Sequence, residues 1–243
     1  MTLHGCRAKY YTGTVPDGQS IPNVTFTAIR YNYTGAGIGG RRCYDTDGYH
    51  PFLADANLTG TVTKTAGNVT IVGSGTAFLT ELAVGDPVRI PGGETYYPDV
   101  VVVASIADNT HFNAYAAPQF SGAGKTAVRD STVFAVPASL AGYYQFTVMY
   151  NPRSGAGTIR ETNLVFNGFD KGQDPVGSNN NIDENTYVAP VSGSETALVT
   201  PVGPVHMAEG AYVQLFVYQD SGGTLGNAAD LVGYPFTMWR VGV

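Results

Sequence analysis

Short runs in which apolar and polar residues alternate, each bounded by Gly, Pro, Asn or Asp, recur along the whole chain, while helical spacing of apolar residues is almost missing. Alternation with a period of two sends successive side chains to opposite faces of an extended strand, so one face can meet a core. The clearest segments are residues 24–31, 69–72, 87–90, 100–106, 132–136, 143–150, 158–166, 197–202 and 211–218, and only residues 76–82 predict a short helix. Tyr144, Phe146, Val148 and Tyr150 share one strand face, with Gln145 and Thr147 on the other. Val213, Leu215 and Val217 repeat the pattern, as do Phe236, Met238 and Val241 with a slip of frame near Trp239. An antiparallel all-β sandwich or barrel is expected.

The middle of the chain has its own character. It opens with Thr59-Gly60-Thr61-Val62-Thr63 and closes in the glycine-rich stretch Phe120-Ser121-Gly122-Ala123-Gly124, and it reads as an inserted β domain over residues 56–128. The flanks, 1–55 and 129–243, are each too incomplete for a separate core and are expected to form one sandwich together. Residues 169–187, rich in Asn, Asp and Gly without periodicity, predict an exposed connection.

Charged residues make up 13% of the chain, against roughly 25% in an average soluble protein. With 43% hydrophobic residues and a net charge of -6, the chain is expected to fold rather than stay disordered. Its 13 Lys and Arg are scattered, which argues against a nucleic-acid partner. No stretch approaches the ~18 apolar residues of a membrane helix, and the start of the chain lacks the basic-then-apolar pattern of a signal peptide. Cys6 and Cys43 are read as free thiols, and the four Asn-x-Thr sequons beginning at Asn23, Asn32, Asn57 and Asn68 as products of Thr-rich strands.

Strings that imitate catalytic motifs lack the context the chemistry needs. Gly35-Ala36-Gly37-Ile38-Gly39-Gly40 has dinucleotide-loop spacing but runs through Arg41-Arg42-Cys43-Tyr44-Asp45 into a turn, not a helix. Gly122-Ala123-Gly124-Lys125-Thr126 has Gln119 where a phosphate loop starts with Gly, and it reads as the return linker from the insert. His4, His50, His111 and His206 lie far apart in sequence, without second ligands at metal spacing. Asp45-Thr46-Asp47-Gly48, even with Asp55, lacks the later acids of a calcium loop, and Gly73-Ser74-Gly75 is a tight turn rather than a nucleophile elbow. Neither a cofactor nor a metal is expected. The enzyme reading would rest on a pair among Asp170, Asp174, Asp183 and Glu184 acting on glycans; the chain is expected not to be an enzyme.

Gly142-Tyr143-Tyr144-Gln145-Phe146 resembles the Gly-x-Tyr-x-Phe strand of the tumour necrosis factor-like jelly roll, as in the globular heads of complement component one q. Residues 25–32 with Tyr44-Asp45, then Gly210-Ala211-Tyr212-Val213-Gln214-Leu215, then Phe236-Thr237-Met238-Trp239-Arg240-Val241 resemble that family's opening, Gly-Asp-x-Val-x-Leu and closing strands, with Ala211 in place of the usual acid. In the insert, Val69-Thr70-Ile71-Val72-Gly73-Ser74-Gly75-Thr76-Ala77-Phe78 followed by Val84-Gly85-Asp86-Pro87-Val88 is similar to small barrel modules of phage tail and capsid components. These resemblances imply a jelly-roll sandwich carrying a small inserted β-barrel domain. They also imply a homotrimer in a virus particle: a bacteriophage capsid decoration, or cement, protein on the capsid surface whose partners are the major capsid protein and further copies of itself. The alternative they leave is the receptor- or glycan-binding head of a tail fibre. Tyr144, Phe146 and Trp239 are the residues expected to pack in the core or along a trimer axis.

Overall fold

The computed structural model describes residues 5–8, 20–23, 27–29, 55–92, 99–150, 160–166, 186–188, 198–226 and 236–243. Three short strands come first: β1 (Gly5–Ala8), β2 (Ser20–Ile21) and β3 (Thr27–Ala28). The inserted module follows, with β4 (Ala56–Asn57), β5 (Thr61–Lys64), β6 (Thr70–Ser74), helix α1 (Phe78–Glu81), β7 (Pro87–Ile90), β8 (Asp99–Asp108), β9 (His111–Ala114), β10 (Gly122–Lys125) and β11 (Val128–Arg129). The chain then gives β12 (Val133–Ala135), β13 (Gly142–Tyr150), β14 (Arg160–Phe166), β15 (Thr186–Val188), β16 (Leu198–Met207), β17 (Tyr212–Gln219), β18 (Leu225–Gly226) and β19 (Phe236–Gly242). The protein is all-β, every strand pairing described is antiparallel, and α1 is the only helix among the described residues.

Both flanks build one sandwich. One sheet runs β1-β19-β13-β16; the other runs β12-β17-β14-β15, with β3 also on β17. Strands adjacent in sequence repeatedly fall in opposite sheets, a topology compatible with a jelly roll. The core lies between the sheets: Tyr144, Phe146, Val148, Met207, Phe236 and Met238 from one side meet Phe134, Leu164, Val213, Leu215 and Val217 from the other. Phe134 stacks on Phe236 at 4.0 Å between centroids. The alternation read from 144 to 148 and from 213 to 217 is the core-facing register, since every one of those apolar residues is buried. Val241 departs from expectation: it is 45% exposed, because the ladder between β13 and β19 slips where Tyr143 pairs with Gly242 and Tyr144 with Arg240, leaving Val241 in a bulge.

The insert interrupts a single edge strand. Along β17, Thr27 faces Val217 and Ala28 faces Phe216, and Ile29 donates its N–H to Leu215 O. The next partner, Gln214, is taken by Val133, followed by Phe134 on Val213 and Ala135 on Tyr212. β3 and β12 therefore lie end to end in the same direction, and the module stands between two halves of one strand. Its two legs pair with each other, Ala56 with Arg129 and Asn57 with Val128.

The module's sheet runs β10-β5-β6-β9-β8-β7-β11-β4 and curls around Val62, Ile71, Phe78, Val88, Val101, Val103 and Phe112. Phe78 from α1 packs edge-on against Phe112 at 5.0 Å. The expected barrel is not closed. β7 already has β8 on one edge and β11 on the other, so it has no edge to offer β10. β10 nevertheless meets the turn that follows β7, and a side chain on Gly122 would come within 2.9 Å of the Pro91 carbonyl. The stretch expected to be a return linker is thus an edge strand, Gly122–Lys125 on β5.

Candidate functional site

The most built feature among the described residues is the junction between module and sandwich. It begins with β8, whose apolar run is buried on both faces. Val101 and Val103 face the module core, whereas Val100 and Val102 face Val133, Ala135 and Tyr212 of the sandwich. A strand covered on both sides reads as continuous apolar sequence instead of alternating, which is what residues 100–103 show.

Polar groups clamp the same junction. Asp55 Oδ1 accepts the Ser131 N–H at 2.9 Å and the Ser131 hydroxyl at 2.8 Å, tying the outgoing leg to the returning one. Arg89 lies between two carboxylates, 3.3 Å from Asp55 Oδ2 and 3.1 Å from Asp130 Oδ2. The Arg89 Nε contact with Asp130 is a charge contact without hydrogen-bond alignment. Asp130 Oδ1 accepts the Thr132 N–H and hydroxyl, and Gln214 on β17 donates to that hydroxyl oxygen at 2.8 Å. Burial pushes the Asp130 carboxyl up, against the pull of Arg89 and the Thr132 bonds.

Beside the clamp opens a cleft of about 290 Å³, formed by Val100 to Val102, by Tyr115 to Ala117 with Gln119, and by the β16–β17 turn from Ala208 to Tyr212. Gly210 makes its wall possible. It adopts φ 71°, and a Cβ there would fall 2.3 Å from the Tyr115 ring. Glu209 is held by the Ser139 N–H at 2.7 Å. Burial and the Glu209 charge push the Tyr115 phenol up, so at neutral pH it is a hydrogen-bond donor. Chemically, the cleft offers an apolar floor with a phenol and a carboxylate at the rim. Among the described residues no three His, Cys, Asp or Glu side chains gather as a metal site.

Of the residues singled out from sequence, Tyr144 and Phe146 lie fully buried in the sandwich core, and Tyr144 donates its hydroxyl to the Leu140 carbonyl. Trp239 is half-buried, and its register opposite Gln145 places it on the outer face of the four-stranded sheet. His206 pairs with Tyr143 on that face, their rings edge-on at 5.2 Å, and His111 sits apart on β9 against Asp108. The loop at 35–40, the Asp45–Asp47 turn, His4, His50, Cys43, Asp170, Asp174, Asp183 and Glu184 lie outside the described residues. Sequence reasoning missed Asp55, Arg89 and Asp130 as a group, because they are joined only by the pairing of β4, β11 and β7. No protein-family model matches the chain, and no curated protein matches it in sequence.

Proposed function

We propose that the chain is a structural virion protein: a bacteriophage capsid decoration protein that assembles as a homotrimer on the capsid surface and bridges capsid subunits. The observation that carries the self-association is the outer face of the four-stranded sheet. Tyr143 is 46% exposed, with its cross-strand partner His206 and half-buried Trp239 on the same face. Aromatic side chains grouped on one exposed face supply large contact area, and an apolar patch of this kind marks an interaction surface more often than an idle one. A closed ring of copies fits the local symmetry axes of a capsid, where weak contacts from each subunit add through multivalency. The double-sided burial of β8 favours the same reading, because a module held rigidly on its sandwich can transmit a bridging contact instead of pivoting away from it.

The test joins solution mass to capsid binding. Purified protein should sediment as a trimer and cosediment with capsids stripped of accessory proteins, and Trp239→Glu with Tyr143→Glu should yield a folded monomer that binds capsids at least tenfold more weakly. A wild-type monomer that ignores capsids overturns the reading, and a trimer that ignores capsids but binds host cells replaces it with the tail-fibre head.

A further inference from the structure

Lys64 ends β5 and Asp99 begins β8, two strands separated in the sheet by β6 and β9. Their side chains nevertheless meet inside the module. Lys64 Nζ lies 2.8 Å from Asp99 Oδ2, and both side chains are sealed from solvent. The same Oδ2 accepts the Phe120 N–H at 3.2 Å. Tyr212 is buried nearby, and burial, with the Asp99 charge added to it, pushes its phenol up.

An ion pair this deep sits against the cost of desolvating two charges, and passing one proton from Nζ to the carboxylate replaces it with a neutral amine beside a neutral acid. A neutral lysine amine is a nucleophile. Two groups locked at contact distance react as though at an effective concentration of roughly 10⁵ M or more when well oriented. The usual obstacles to amide formation, water and dilution, are both removed here.

We propose that Lys64 and Asp99 become joined by an intramolecular amide bond between Nζ and Cγ. The Nζ lone pair attacks Cγ, and the Phe120 N–H steadies Oδ2 as negative charge develops on it. The C–Oδ1 bond then breaks. Of the three protons that began on the ammonium, one stays on the amide nitrogen and two leave with Oδ1 as water. Nothing is oxidised or reduced, and no co-reactant enters.

The position gives the bond a structural consequence. β10 comes against the Pro91–Gly92 turn, and Gly122 at that seam pairs with Lys64 itself. A Lys64–Asp99 amide would tie β5 to β8 covalently next to the seam.

Intact mass of the full chain, unfolded in denaturant, tests this directly. The expected mass is one water, about 18 Da, below that of the sequence, and a protease digest should contain one branched peptide holding residues 64 and 99. Lys64→Arg keeps the charge without the reactive amine and should show the full mass of its own sequence. A wild-type mass equal to the sequence mass after prolonged incubation of folded protein overturns the proposal, as does a deficit that persists in Lys64→Arg. The branched peptide is read from wild-type protein, so the test stands even if the variant fails to fold.

Discussion

In the turn that follows α1, the Asp86 carboxylate accepts the Ala83 N–H at 2.6 Å, and only 3% of the residue is exposed. Burial pushes its pKa up to about 6, while the Ala83 bond and the Arg129 charge pull the other way. A carboxyl whose folded pKa lies above its unfolded value favours the folded state most when protonated. Stability contributed by Asp86 is therefore present below about pH 4 and is lost as pH rises towards 6. Asp86→Asn keeps an oxygen for the Ala83 N–H but cannot ionise. It should leave stability near pH 4 unchanged and raise it at pH 7.5 by about 1 kcal/mol, after allowance for solvent screening. Urea unfolding of both proteins at the two pH values checks this, and parallel pH dependences would clear Asp86 of the effect.

At the scale of the element, the decisive contacts are those of β7, β11 and β12 at the neck. Arg89 on β7 is the cation set between Asp55 and the buried Asp130, so removing it leaves an interior carboxylate with its Thr132 bonds but without its counter-charge. Arg89→Ala should cost about 3 kcal/mol. Adding Asp130→Asn should recover part of that, because the amide oxygen still accepts the Thr132 bonds, and the coupling is read from a double-mutant cycle of unfolding free energies. A loss under about 0.5 kcal/mol for Arg89→Ala would mean that the apolar contacts of β8 alone hold the junction. These contacts also show where sequence reading stops. The strand around Tyr144 was legible because one side faces a core and the period of two survives, whereas β17 around Val213 is buried on both faces and keeps the period only through Val213, Leu215 and Val217. β8 was legible as a strand, but its two partners were not, since a continuous apolar run is compatible with a second sheet or a neighbouring molecule. β10, Gly-Ala-Gly-Lys, carries no apolar alternation at all, and its pairing with β5 follows from where the chain must travel. The cleft was hidden for a similar reason: segments 100–102, 115–119 and 208–212 meet there through alanines and glycines that signal nothing individually. Lys64 and Asp99 are two ordinary charges until the curl of the sheet puts them together.

For the whole molecule, the insertion of a curled sheet into one edge strand divides the chain into two units with separate cores and a shared third cluster. The module's core includes Val62, Ile71, Phe78, Val88, Val103 and Phe112. Its termini already lie side by side through the Ala56–Arg129 pair, so the closure cost of excising it is small. Residues 55–130 expressed alone should therefore fold cooperatively, with dispersed amide resonances and a single unfolding transition. Two features work against this piece. Val100 and Val102, which face Val133, Ala135 and Tyr212 in the full chain, become an exposed apolar stripe, and a unit of this size sits near the lower limit for a self-sufficient core. The isolated module should consequently unfold several degrees below the full chain and associate at high concentration, and Val100→Thr with Val102→Thr should suppress the association without unfolding it. β-branched threonine keeps the strand preference while making that face tolerant of water. If the isolated module is unfolded even with both substitutions, the third cluster is part of its core rather than a junction, and the two units fold as one.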